Sequence, residues 1–132
     1  FILGFVIIIF TIFGVMELIM AVYTMNVLSD AAKEGVRAAI VRGTAGISGP
    51  ADWDPPPPGC PYAGDNIRCK VWDYARYSLH DISSISIDVQ HPDGIVVPGR
   101  RVRVEVTYNF LPYTTLPLRP TLHAVAEGRY IN

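Results

Sequence analysis

The chain has 132 residues, half of them hydrophobic, with a mean hydropathy of +0.28 and a formal net charge of −1. That average hides a division, because Glu17 is the only charged residue among the first twenty-nine, leaving eleven acidic and eleven basic residues for the rest. A neutral remainder excludes a phosphate-coating basic surface and offers no electrostatic steering, so no nucleic-acid partner is expected.

Residues 1–42, FILGFVIIIFTIFGVMELIMAVYTMNVLSDAAKEGVRAAIVR, read as one uninterrupted helix, since all eleven prolines fall after Gly49. At 1.5 Å per residue such a rod is roughly 63 Å long, about twice a bilayer's hydrocarbon thickness, and therefore has two environments. Phe1 to Met16 is free of charge and apolar on every side, which demands burial all round. Glu17 interrupts it, a second uncharged run reaches Ser29, and together Phe1 to Leu28 is long enough to span a membrane with tilt. A signal peptide also starts with an apolar run, but it would not pass smoothly into an amphipathic helix; here the run belongs to the working protein. The missing initiator Met reads as processing or trimming.

From Asp30 the helix is amphipathic. Asp30, Lys33, Glu34, Arg37 and Arg42 are charged, while Leu28, Ala32, Gly35, Val36 and Ala39 recur at three- and four-residue spacing on another side. Those small side chains predict a face on which a second element packs closely. Asp30 with Lys33 and Glu34 with Arg37 support the exposed side, at about 0.2 to 0.5 kcal/mol a pair.

Gly43, Gly46, Gly49 and Pro50 end the helix, with Gly43 placed as its C-cap. The loop that follows contains four consecutive prolines, and Cys60 and Cys69 flank its end in GCPYAGDNIRC. Their spacing is not that of a redox CxxC, and no zinc partners accompany them, so a structural disulfide is read, stabilising by about 2 to 3 kcal/mol and implying an oxidising compartment. Asp52, Asp54 and Asp65 are oxygen ligands of the kind calcium takes, but no DxDxDG spacing is present. Acidic turn residues, with Asp65 as a helix N-cap, are the preferred reading.

Asn66 to His80 predicts a second helix with Ile67, Val71, Ala75, Ser78 and Leu79 on one side, and with Trp72, Tyr74 and Tyr77 as core-packing aromatics. Ile85, Ile87 and Val89 then alternate with polar residues in a half-buried strand that ends at the HPDG turn. Ile95 to Val97 extends or bridges it before a turn at Pro98 and Gly99. Val102, Val104, Val106 and Tyr108 mark a longer strand whose Arg101, Arg103 and Glu105 face solvent. FLPYTTLPLRP carries three prolines and is read as a crossing loop, and TLHAVAEGRYIN as a third strand beside the second. Three antiparallel strands with one apolar face need a cover, and the small-residue side of the long helix is the candidate.

No enzymatic constellation emerges. His80, His91 and His123 fall singly on a helix end, a turn and a strand, and no nucleophile motif or phosphate loop accompanies them, so neither catalysis nor a cofactor is expected. The residue out of place is Glu17. A carboxylate inside an apolar helix costs about 3 kcal/mol or more in lipid unless a partner satisfies it. It can snorkel to the headgroups, be capped within its own subunit, or meet a group supplied by a neighbour on assembly; the last is preferred.

The run GVMELIMAVYTMNVLSDAAKEGVRAAIV resembles the amino-terminal signature of TadE-like pilins, type IV pilin relatives of the tight-adherence machinery: an apolar run, Gly14, Glu17, Tyr23, then the block Ala31 to Ala39. VRVEVTYNFLPYTTL is similar to the carboxy-terminal half of such proteins. Type IV pilins usually carry a glutamate five residues into the mature chain, where this sequence has Phe5. Either residues precede Phe1 in the native subunit, or Glu17 has taken over part of that role. The resemblance implies cleavage by a prepilin peptidase, residence in the inner membrane, and extraction by the pilus assembly machinery into a filament or its tip.

The expected fold is therefore α+β and type IV pilin-like: a helix over 1–43, hydrophobic to residue 29 and amphipathic beyond, followed by a head over 44–132 with a small antiparallel sheet. The expected function is a filament subunit that polymerises with copies of itself. Phe1, Phe5, Thr11, Gly14, Glu17 and Tyr23 are its candidate assembly residues, and Glu17 is expected to meet a neighbour's amino-terminal amine or a hydroxyl such as that of Thr11 or Tyr23. The alternatives are a minor or priming pilin and a single-pass anchored extracellular domain that binds a ligand through the loop from Asp52 to Cys69.

Overall fold

Proline-free sequence and continuous apolar pattern together give helix α1, Ile2–Arg42, in a computed structural model that describes residues 1–42, 57–62, 64–114 and 119–131. The proposed C-cap Gly43, with Gly46, Gly49 and Pro50, lies outside the described residues. After it come helix α2, Asn66–Arg76, a 3-10 turn at Ile82–Ser84, and strands β1, Ile85–Gln90, β2, Arg101–Asn109, and β3, Thr121–Arg129. The sheet is antiparallel in the order β1-β2-β3, with Ile87 opposite Val106 and Val106 opposite Ala124. This is the α+β architecture expected, a long apolar helix with a small head.

Period-two alternation puts Val102, Val104, Val106 and Tyr108 on the buried face of β2, each at most 1 % exposed. Against them lies the small-residue side of α1. Leu28, Ala31, Ala32, Gly35, Val36 and Ala39 are all buried. At Gly35 a side chain would run into Val71 of α2 and lie 3.4 Å from Val104 of β2, so this one glycine lets two elements close on α1. Gly128 of β3 does the same from the other side, with Val36 and Ile40 of α1 occupying the space of a side chain.

Asp65 caps α2 by accepting from the Arg68 amide at 3.0 Å, and it pairs with the Arg68 guanidinium at 3.2 Å. It is therefore a structural cap, while Asp52 and Asp54 of the candidate calcium set lie outside the described residues. The helix stops at Arg76 rather than His80. Ser78 and Leu79 both donate to the Ala75 carbonyl, tightening the last turn, and Asp81 then caps the 3-10 turn by accepting from Ser83. His80 thus lies beyond the helix, its ring 4.6 Å from that of Tyr113. Of the three aromatics expected in the core only Trp72 is buried; Tyr74 and Tyr77 are exposed, because the buried side of α2 is Ile67, Cys69, Val71, Trp72 and Ala75. A disulfide joins Cys60 to Cys69 and ties the proline-rich connection to the first turn of α2. Arg76 adds to this by donating to the Pro58 carbonyl while lying over the Trp72 ring.

Ile95 to Val97 forms no strand; Ile95 and Val97 are exposed within a two-turn excursion between β1 and β2. Gly94 closes the first turn on the His91 carbonyl in a left-handed conformation, φ 73°. Asp93 pins the excursion by accepting from the Arg101 amide and guanidinium, at 2.9 and 3.0 Å. Beyond β3, buried Tyr130 exchanges backbone hydrogen bonds with Gly99 and Arg100, and its hydroxyl lies 3.0 Å from His91 Nε2.

Two outcomes follow from this packing. Gly128→Ala adds a methyl where Val36 and Ile40 already sit, and is expected to destabilise the head by about 1 to 3 kcal/mol, read as a lower melting temperature in detergent. The hydrogen bonds from Arg101 hold the Asp93 carboxyl down at about 2, against an ordinary value of 3.8. A depressed carboxylate contributes its full stability above its ordinary value and loses it as pH falls through its folded value. Melting temperature should therefore drop between about pH 4 and pH 2, and Asp93→Asn should shrink that drop.

Candidate functional site: the bare end of the long helix and the Glu17 groove

Among the described residues, nothing in the head reaches the first turns of α1. The large apolar residues from Phe1 through Met16 are exposed, apart from a half-covered Ile9, and Phe1 is wholly so. A stretch of α1 is long and apolar enough to cross a membrane, with a hydropathy of 2.7 and none of it buried. Packing on the head's core begins at Met20 and Ala21, and Thr24, Val27 and Leu28 are buried. The run read as Phe1 to Leu28 is thus bare only in its first half. Further along, one side is covered while Leu18, Ile19, Val22, Tyr23 and Met25 remain exposed.

Glu17 stands at that boundary. The connection from β2 to β3 is closed at its neck by the Phe110 amide donating to the Pro120 carbonyl at 3.0 Å, and its first limb turns down onto α1. There the Thr114 amide donates to Glu17 Oε1 at 2.5 Å. Glu17 Oε2 and Thr114 Oγ1 are also buried, with no hydrogen-bond partner among the described residues. In the subunit by itself, the carboxylate is therefore capped by its own head across 97 residues of sequence.

Between α1 and this limb runs a groove of about 760 Å³, lined by Thr11, Gly14, Val15, Glu17, Leu18 and Ala21 on one wall and by Phe110, Pro112, Arg119 and Pro120 on the other. Three of the candidate assembly residues, Thr11, Gly14 and Glu17, meet here. Gly14 leaves its wall open, since a side chain there would meet nothing within 4 Å. Thr11 spends its hydroxyl proton on the Ile7 carbonyl, at 2.8 Å. Phe1 and Phe5 lie at the bare tip and Tyr23 on the uncovered side.

Thr114, Phe110, Pro112, Arg119 and Pro120 are the site residues that sequence reasoning missed. The one available signal was chemical: a carboxylate in an apolar helix needs a donor, and a proline-rich loop at a strand end has few amides to spare. Neither fact says which amide. The other singled-out groups sit elsewhere, with His123 paired to Glu105 on the outer sheet face. Among the described residues no three His, Cys, Asp or Glu side chains converge as a metal site.

Removing the acceptor should free the donor. Glu17→Ala is expected to raise amide exchange at Thr114 by about tenfold or more, the range for a hydrogen bond to a charged group, while Val104 and Val106 keep their protection. Residue-resolved hydrogen exchange in micelles reads both.

No curated protein and no solved structure matches the chain. A family model, that of TadE-like protein, matches residues 1–37. The match covers the bare end of α1, Glu17 and most of the small-residue block; the likeness read in VRVEVTYNFLPYTTL lies beyond it. The amino-terminal helix is TadE-like, the family its own residues resemble, and this suggests a component of a pilus or adherence system.

Proposed function

We propose that the protein is a structural subunit of an extracellular type IV pilus-like filament, membrane-inserted before assembly and polymerising through α1. The observation that carries the reading is the bare end of the helix: apolar on every side from Phe1 to Met16, with the head docked only beyond it. Such a surface needs lipid or other helices around it.

The mechanism is an exchange of solvents. The helix leaves the bilayer for a bundle of identical helices, so its apolar surface stays out of water in both states and the transfer demands little net hydrophobic free energy. Specificity then comes from packing and from Glu17: in the single subunit Oε1 accepts from Thr114 and Oε2 is buried without a partner among the described residues, so assembly has to uncover Oε2 before a neighbour's amine or hydroxyl can meet it. A disulfide in the head fits a compartment outside the cytosol. A prepilin peptidase and the pilus assembly machinery are the partners this reading requires before the filament forms.

Electron microscopy of sheared surface material, with mass spectrometry of its subunits, tests the proposal. Filaments built mainly of this chain are expected, and Glu17→Ala and Glu17→Gln subunits should accumulate in the membrane instead. A few copies per filament would make the protein a minor or priming pilin. Exposed Tyr74 and Tyr77 favour the anchored binding head as the second reading, and for that the protein would stay in membranes with none in the sheared fraction.

A further inference from the structure

The groove beside Glu17 raises a question that polymerisation leaves open: what fills it while the subunit waits in the membrane. The groove, of about 760 Å³, is open to its surroundings, and within a bilayer those surroundings are lipid. Leu18, Phe110, Pro112 and Pro120 supply hydrocarbon, and Gly14 leaves the floor open. Glu17 adds no open acceptor, because its carboxylate is held against Thr114 with Oε2 buried. The charge that remains is the exposed guanidinium of Arg119 on the head side. An apolar groove running along a membrane helix, with a cation where the head begins, is complementary to an acyl chain that ends in a phosphodiester.

We infer that, in the membrane-resident state on which this inference rests, the groove binds one phospholipid. An acyl chain lies along α1 past Gly14 and Leu18, under Phe110 and Pro112, and the phosphate sits on Arg119. Tyr113, half-exposed on the same connection, stands at the headgroup level that tyrosines favour. The lipid is a removable filler. It keeps the subunit from exposing a void in the bilayer and leaves when the helix departs.

The test uses the full chain in nanodiscs of phosphatidylethanolamine and phosphatidylglycerol, released into native mass spectrometry. One phospholipid retained per chain is expected. Gly14→Leu should abolish the adduct by blocking the path of the acyl chain along α1, and it should fold, since a Cβ at Gly14 meets nothing within 4 Å and leucine favours helix. Arg119→Gln should cut retention by about tenfold, the factor expected for a lost charge-assisted contact of about 1.4 kcal/mol. Incorporation into nanodiscs with no adduct, or an adduct that survives Gly14→Leu, would overturn the inference and leave membrane residence standing. A second copy of the chain in place of the lipid, lost in Gly14→Leu, would also overturn it by making the groove a subunit socket. Failure to enter nanodiscs at all would remove its premise.

Discussion

Close approach of one helix to a three-stranded sheet is the contact on which the head depends, and it is made where α1 has almost no side chains. Ala31, Ala32, Gly35 and Ala39 remove the volume that normally holds a helix away from its partners, so Val102, Val104 and Val106 of β2 and Val71 of α2 come to rest against backbone and methyl groups. A valine buried in this way contributes roughly 1.5 to 3 kcal/mol. A head of fewer than ninety residues has a small core, which is why the disulfide and the Asp65 cap matter to it. The helix is therefore the third wall of the head's own core as well as its tether.

That double duty explains the change of pattern along α1. Where the helix has no partner in its own chain it is apolar on all sides, and where the sheet covers it the apolar residues retreat to one side while Asp30 and Lys33 pair on the other, at 3.1 Å. This much was legible in the sequence because it rests on periodicity, which residues near in sequence impose on one another. The same is true of the strands: Val102, Val104, Val106 and Tyr108 alternate so regularly that their buried face needs no tertiary information.

Readings that failed, or could not be made, depended on partners distant in sequence. Tyr74 and Tyr77 looked like core residues by type, but α2 is only eleven residues long and its narrow buried side was already filled by Ile67, Val71, Trp72 and Ala75. Ile95 and Val97 looked like strand by composition, yet Asp93 holds Arg101 across the turn and draws the chain into an excursion in which, among the described residues, they have no strand partner. The groove was invisible for a stronger reason. One wall is helix and the other a proline-rich connection about a hundred residues later, with no period linking them.

Glu17 is the one charged residue in the apolar part of α1. Read from sequence, it interrupts a membrane-like run at a cost that lipid does not offset. In the folded chain it lies at the last level to which the head descends, and there an amide from the β2–β3 connection meets it. Its position thus marks where α1 changes from a surface needing foreign cover to one covered by its own chain. Capping by Thr114 makes the carboxylate tolerable in the single subunit, while Oε2 is buried without a hydrogen-bond partner among the described residues.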